Sequence, residues 1–266
     1  MAQTAGGWAV PVSASEPEFL PVLDVPEPGR QRRLTVFFRW LILIPHDIVL
    51  WVLSIAACFV VIVGWFAALF TGRLPASIAR FLTNYLGYDS RLMASQTLLI
   101  DRYPPFSLRQ PRDYPVRIEV LPGRLNRAAV FFRLILMFPA AIINSLASAG
   151  WFVLAFFFWL WVLIAGEMPH PIFEATAAVV RYRMRFTAYA LLLTAAYPKG
   201  LFGEERGTEE PQSATRPLVL GGLAKGLVVA FLLLGLGSDL AGSIGGNSSD
   251  STDGTTINTA PLIPSR

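Results

Sequence analysis

Val36-Phe37-Phe38-Arg39 recurs 94 positions later, without a gap, as Val130-Phe131-Phe132-Arg133. The same shift pairs Pro28-Gly29-Arg30 with Pro122-Gly123-Arg124, Pro45 with Pro139, Trp65 with Trp159, Gly72 with Gly166 and Pro75 with Pro169. It continues through Arg91 and Arg185 and through Leu98-Leu99 and Leu192-Leu193, and closes on Tyr103-Pro104 against Tyr197-Pro198. Roughly 23 of about 79 aligned positions are identical, and self-similarity at a fixed period marks a duplicated structural unit.

Each unit has one grammar. An arginine-rich entry (Arg30, Arg32, Arg33; then Arg124, Arg127) leads into an apolar block over 34–71 or 128–165. A Gly-x-x-Pro stop follows, then a mixed apolar and basic segment, then the Tyr-Pro exit. Each block has about 38 residues, or about 57 Å as one straight helix at 1.5 Å per residue. The hydrocarbon core is about 30 Å thick and takes about 20 residues. Length therefore predicts two crossings per block, a transmembrane helical hairpin. In the second unit the small polar run 144–150 falls where such a hairpin turns, and Ser54 marks the middle of the first. The alternative is shallower, with 34–45 in the interface and the rest re-entrant.

Composition agrees with a bilayer. Of the 266 residues 54% are hydrophobic before glycine is counted and 15% are charged, whereas a soluble domain is near 45–50% apolar with glycine included and a quarter charged. That balance excludes a disordered chain and argues against a soluble enzyme. The net charge of +4 reflects a modest excess of arginine. These arginines flank apolar blocks, as juxtamembrane residues do, and are not gathered on a polar domain as nucleic-acid binding requires. A single cysteine, Cys58, excludes an intramolecular disulfide framework, and two histidines make a His-rich metal site improbable.

A single crossing per block would place Arg73, Arg80, Arg91, Arg102, Arg109, Arg112, Arg117 and Arg124 outside the cell, against the positive-inside bias. Two crossings keep these and the stretch before Arg216 in the cytoplasm and give both copies one orientation. Segments 76–100 and 171–194 read as amphipathic helices on the inner leaflet, their arginines reaching lipid headgroups. The predicted fold class is an all-α membrane protein: two tandem units, each a transmembrane helical hairpin plus a cytoplasmic interfacial amphipathic helix, and one C-terminal transmembrane helix. In order these are a disordered cytoplasmic tail at 1–29, unit 1 at 30–108 and a polar connector at 109–121 with a brief strand over 116–120. Unit 2 at 122–201, a linker at 202–217, the C-terminal helix at 218–240 and a disordered extracytoplasmic tail at 241–266 complete the chain. Five crossings result, in the bacterial plasma membrane, with the N-terminus inside and the C-terminus outside. The tail lacks a signal-peptide core, and Arg32-Arg33 is followed by too long an apolar stretch for a twin-arginine signal.

His46-Asp47 is the leading candidate for chemistry, because ionisable residues at membrane depth are functional by default. The matching positions are Ala140-Ala141, so the scaffold does not need the pair. Two readings stand: a proton relay or polar contact with Arg39 or with an arginine from the other unit, and a cap on a helix restarted after Pro45. Arg39 and Arg133 lie about five residues inside the apolar blocks, where they either hold lipid phosphate or an acidic helix, or snorkel. Arg91, Arg181, Arg183 and Arg185 are candidate headgroup contacts, although residues two apart do not share a helix face. Gly222 and Gly226 have the small-xxx-small spacing of close helix approach. No phosphate loop, catalytic triad, metal-ligand spacing or haem-ligand pair is present, so neither cofactor nor enzyme is implied.

Residues 33–46 (Arg-Leu-Thr-Val-Phe-Phe-Arg-Trp-Leu-Ile-Leu-Ile-Pro-His), 65–75 (Trp-Phe-Ala-Ala-Leu-Phe-Thr-Gly-Arg-Leu-Pro) and Tyr103-Pro104-Pro105-Phe106 resemble the domain of unknown function 4389 family, tandem-repeat membrane proteins of actinobacteria. The resemblance covers 30–201 and is closer in the first copy. The second departs at Ala140-Ala141, Glu167 and Lys199-Gly200. It implies a membrane location and no activity. Two functions follow as expectations. One is a non-catalytic accessory or scaffold subunit of an envelope complex, with anionic lipid headgroups and other membrane subunits as partners and no nucleic acid. The other is a small-molecule carrier or lipid-handling protein with a site between the units near Arg39, Arg133 and His46-Asp47.

Overall fold

The structure, a computed structural model, describes residues 19–204 and 213–246. Of the tails expected over 1–29 and 241–266, residues 1–18 and 247–266 lie outside the described residues, as do 205–212 of the linker, while 241–246 continue the last helix. The elements are β1 (Val22–Asp24), α1 (Arg33–Thr71), α2 (Ala76–Gln96), β2 (Arg117–Glu119), α3 (Arg127–Phe131), α4 (Arg133–Ala165), α5 (His170–Ala190) and α6 (Gly222–Gly246). The helical class, the two tandem units, the brief strand and the C-terminal helix agree with expectation.

Neither apolar block is a hairpin: the first is one uninterrupted helix, α1, and the second is α3 and α4 in succession, separated only by Phe132. Ser54 sits inside α1, its hydroxyl bonded back to the Trp51 carbonyl at 2.7 Å, and 144–150 lie inside α4. The small residues there serve helix packing instead of a turn. A Cβ on Gly150 would run into the Phe231 carbonyl of α6, and one on Gly235 would run into the Leu146 carbonyl of α4. Gly222 and Gly226, the expected contact pair, have nothing within 4 Å of such a Cβ. Three helices are long and apolar enough to cross a membrane, α1, α4 and the 222–242 part of α6, where five crossings were expected.

The Gly-x-x-Pro stop ends each block as its composition dictates. Gly72 and Gly166 take the left-handed conformation (φ 71° and 81°), which costs a glycine nothing, and each returns its N–H to the last turn. Pro75 and Pro169 then open α2 and α5, which fold back antiparallel on the preceding long helix. These two helices do not lie on the surface. They pack against each other and under α1, α4 and α6, and only their first turns are open to solvent.

The two units are related by a pseudo-twofold axis, and their contacts are reciprocal as in an isologous dimer. The Gln31 N–H bonds the Gly166 carbonyl at 2.7 Å, and its repeat mate Leu125 bonds Gly72 at 2.9 Å. Trp65 Nε1 donates to the Val130 carbonyl and Trp159 Nε1 to the Val36 carbonyl, each at 2.9 Å. The start of α1 therefore meets the end of α4 and the reverse, so the long helices run antiparallel. A gap-free repeat reports copy number and carries no signal for relative direction.

The segments expected to be irregular are partly folded. Val22, Leu23 and Asp24 pair antiparallel with Glu119, Ile118 and Arg117, and Leu23 and Val25 are buried, so the tail expected over 1–29 is structured from residue 22. In the linker, Thr215 Oγ1 bonds the Leu23 carbonyl at 3.0 Å and accepts the Val25 N–H at 2.8 Å. Leu218 and Leu220 are buried before α6 begins, and Glu174 accepts the Gly221 N–H at 2.9 Å, which moves the helix start from 218 to 222.

If Gly150 is required by the α4–α6 crossing, Gly150→Ala forces the backbones apart and costs about 1–3 kcal/mol, the range for overpacking. Thermal unfolding in mild detergent should show a lowered midpoint for Gly150→Ala and none for Gly226→Ala.

Candidate functional site

The arginines of the apolar helices are structural. Arg39 is buried and donates to the Ser95 carbonyl at 3.0 Å, to Gln31 Oε1 at 3.1 Å, to Asp101 Oδ1 at 2.9 Å and to the Ile100 carbonyl. Arg133 donates to the Thr194 carbonyl at 2.6 Å and to the Tyr189 carbonyl, with its guanidinium 3.8 Å from the Tyr189 ring centre. Ser95 and Tyr189, and likewise Ile100 and Thr194, are repeat mates. Both arginines thus hold the turn that ends the inner helix. Between the two gripped carbonyls lie Leu98 and Leu192, both left-handed (φ 62° and 63°), a conformation that costs a non-glycine residue about 1–3 kcal/mol. Charge-assisted bonds worth about 1.5–3 kcal/mol each offset that strain. Neither arginine is placed to hold a phosphate or a partner helix.

The expected headgroup contacts are corrected in the same way. Arg91, Arg181 and Arg185 are 1–2% exposed and each hydrogen-bonds within the protein, although the Nε atoms of Arg91 and Arg181 have no partner. Arg91 donates to the Ser107 carbonyl at 2.5 Å. Arg181 and Arg185 share one carboxylate, Glu204, at 3.3 and 2.5 Å, and Arg185 also bonds the Pro21 and Lys199 carbonyls, both at 2.9 Å. Burial, with Arg185 alongside and Glu204 opposing, pushes Arg181 down to about 10. Burial drives the Glu204 carboxyl up, but Arg181 and Arg185 outweigh it and hold Glu204 below the ordinary carboxylate range. Glu204 had no signal in the sequence, because it follows Arg185 by 19 residues in what reads as linker.

Arg183 points the other way. It meets Asp89 of α2 at 3.4 Å, and Asp89 is its own repeat mate. Equivalent positions of an isologous pair meet at the axis, so this ion pair marks where the two units cross. The charge reversal between the copies could have been noticed in the sequence.

His46 and Asp47 diverge. His46 is buried, with Nδ1 2.6 Å from the Tyr88 hydroxyl and its ring stacked on Phe106 at 3.8 Å. Asp47 faces away and accepts a 2.6 Å bond from Gln96 Nε2. They make no bond with each other, and α1 runs through Pro45 without restarting, so the capping reading is not met, while Asp47 shares a cavity with Arg183 of the other unit.

Asp47 lines a cavity of about 690 Å³ between the units, within the 300–1,000 Å³ range of ligand sites. Trp40, Leu41 and Ile44 of α1 form one wall, with Trp151 and Phe152 of α4 opposite. Its polar groups are Asp47, Gln96, Thr97, Ser148 and Arg183, and both Ser148 Oγ and Arg183 Nε are buried without a partner. Trp40 and Phe152 continue into a groove of about 410 Å³ bordered by Phe37, Phe156 and Trp159. Of the four residues expected between the units, only Asp47 reaches this cavity, while Arg39, His46 and Arg133 serve their own units. Among the described residues, no three His, Cys, Asp or Glu side chains are grouped to hold a metal ion.

The Glu204 bridge gives a pH signature. A carboxylate with a depressed folded pKa contributes stability above its unfolded value, near 4.3, and loses it as pH falls through the folded pKa. Glu204→Gln should cost about 2 kcal/mol at pH 7, the low end for a broken buried pair because Glu204 is one-third exposed. The gap in unfolding midpoint between wild type and Glu204→Gln should persist down to about pH 5 and close only as the pH falls further, through the depressed pKa of Glu204. A separate double exchange, Asp89→Arg with Arg183→Asp, should recover most of the stability that either single change loses, read as a thermal double-mutant cycle.

No curated protein and no solved structure matches the chain. One family model does, twice, over residues 33–107 and 127–201, which are the two units described above and together more than half of the chain. The protein belongs to the family of the domain of unknown function 4389.

Proposed function

We propose that this chain handles a membrane amphiphile in the cavity between its two units, in the bacterial cytoplasmic membrane with its arginine-rich loops on the cytoplasmic side. The observation that carries the reading is the cavity itself: aromatic and aliphatic walls with one carboxylate, one guanidinium and a serine hydroxyl among its lining residues. Tail methylenes fit against Trp40, Trp151 and Phe152. Arg183 and Ser148 offer donors to a phosphate or ester oxygen, and Asp47 accepts a donor. A zwitterionic head matches both signs of charge. The role is one of binding and is not catalytic. The absence of an acidic residue at Ala141 supports a site made by the asymmetry of the copies, not by the shared unit.

The test is quenching of intrinsic tryptophan fluorescence in detergent by brominated phosphatidylethanolamine and, separately, brominated phosphatidylglycerol. Phosphatidylethanolamine should bind saturably, and Asp47→Asn should weaken it about tenfold, one lost charge-assisted bond. Val49→Ala, on the far side of α1 from Trp40 and Asp47, should leave the affinity unchanged. Saturable binding of neither lipid, with a stable co-purifying protein instead, would replace this reading with that of an accessory subunit of an envelope complex.

A further inference from the structure

We infer that α1 and α4 do not cross the bilayer but lie along one leaflet, so that both ends of each helix face the same side of the membrane. The inference rests on segment 97–126, which ties down both ends of α1. At the start, Gln31 Nε2 bonds the Leu98 carbonyl at 2.6 Å and the Arg32 N–H bonds Asp101 at 3.3 Å. At the finish, the Leu125 N–H bonds the Gly72 carbonyl at 2.9 Å. Between these anchors the segment is irregular apart from β2, and it exposes Arg102, Arg109, Arg112, Arg117 and Arg124.

Irregular backbone exposed to lipid does not occur in the hydrocarbon region, and a row of outward arginines does not either. A segment of this kind stays on one side, and so do the two helix ends it holds. The reciprocal bonds extend the constraint to α4, whose end is fixed to Gln31 and whose start is fixed to Gly72.

The distribution of apolar surface agrees. Leu34 in the first turn of α1 is 75% exposed and Phe70 in the last is 73% exposed, as bare as any residue between them. A helix of 39 residues is about 58 Å long, nearly twice the hydrocarbon thickness, so standing upright it would leave such turns in water. Lying flat, a helix about 10–12 Å across fits within one leaflet of about 15 Å over its whole length. Arg39 and Arg133 then point from the buried helices toward the polar layer of α2, α5 and the loops. This placement also resolves the charge problem of the sequence: every arginine from 73 to 124 stays on one side although neither block turns back as a hairpin.

Cysteines placed at the exposed polar ends, Arg32→Cys and Arg73→Cys for α1 and Arg127→Cys and Glu167→Cys for α4, test it in a Cys58→Ser background. A membrane-impermeant maleimide is applied to spheroplasts and to inverted membrane vesicles from the same cells. Both members of each pair should label from one and the same face. Labelling of a pair from opposite faces overturns the inference, and so does protection of either member from both faces. The α4 pair stands independently if an α1 variant fails to accumulate. No amphiphile is needed for the readout, so its failure and that of the cavity proposal are separable.

Discussion

A guanidinium carried on an apolar helix must find its acceptors inside the protein, since lipid offers none and an unpaired charge at membrane depth costs about 2.5–3.5 kcal/mol even on insertion scales. Arg39 and Arg133 meet this demand with carbonyls from the turn that ends the following helix. That choice sets the rest of the unit. The inner helix must run back antiparallel, close enough to present its last turn, and the turn must hold a leucine in the left-handed region to aim two carbonyls at one guanidinium. Once both units are built this way, their polar faces can bury only against each other, and α2 meets α5.

Duplication made the scaffold and divergence made the site. The reciprocal tryptophan and backbone bonds treat the copies alike. Three differences do not: Asp89 opposite Arg183, His46-Asp47 where the second copy has two alanines, and Gly150 where the first has Ala56. The last admits α6 against α4 with near backbone contact and gives the second unit a cover that the first lacks. The cavity occupies the side where Asp47 of the first unit faces Ser148 and Arg183 of the second.

Much of this was legible in the residues. The repeated Val-Phe-Phe-Arg, the Gly-x-x-Pro stops and the Tyr-Pro exits mark the ends of the apolar blocks and of the segments after them to within a few positions, although length alone suggested two helices in each block. What could not be read was the use of small residues. The run 144–150 has the composition of a turn and of a helix crossing alike, and only the presence of α6 decides between them. The arginines misled for a related reason. At 181, 183 and 185 their spacing excludes one shared face, as observed, but composition does not reveal that Glu204 waits inside for two of them. His46 and Asp47 are adjacent in sequence, and neighbours on a helix point about 100° apart, so proximity along the chain was no guide to a joint role.

The reciprocal bonds carry a consequence for ancestry. A polypeptide holding one unit could meet a second copy of itself through the same four contacts, with tryptophan and backbone donors exchanged across a true twofold axis. One position resists. At residue 89, mate of 183, the ancestral pair would have set two identical side chains face to face, and two aspartates or two arginines there repel. A half-length relative should therefore carry an uncharged residue at that place. Fusion into one chain is what freed the two halves to hold opposite charges and lock the crossing.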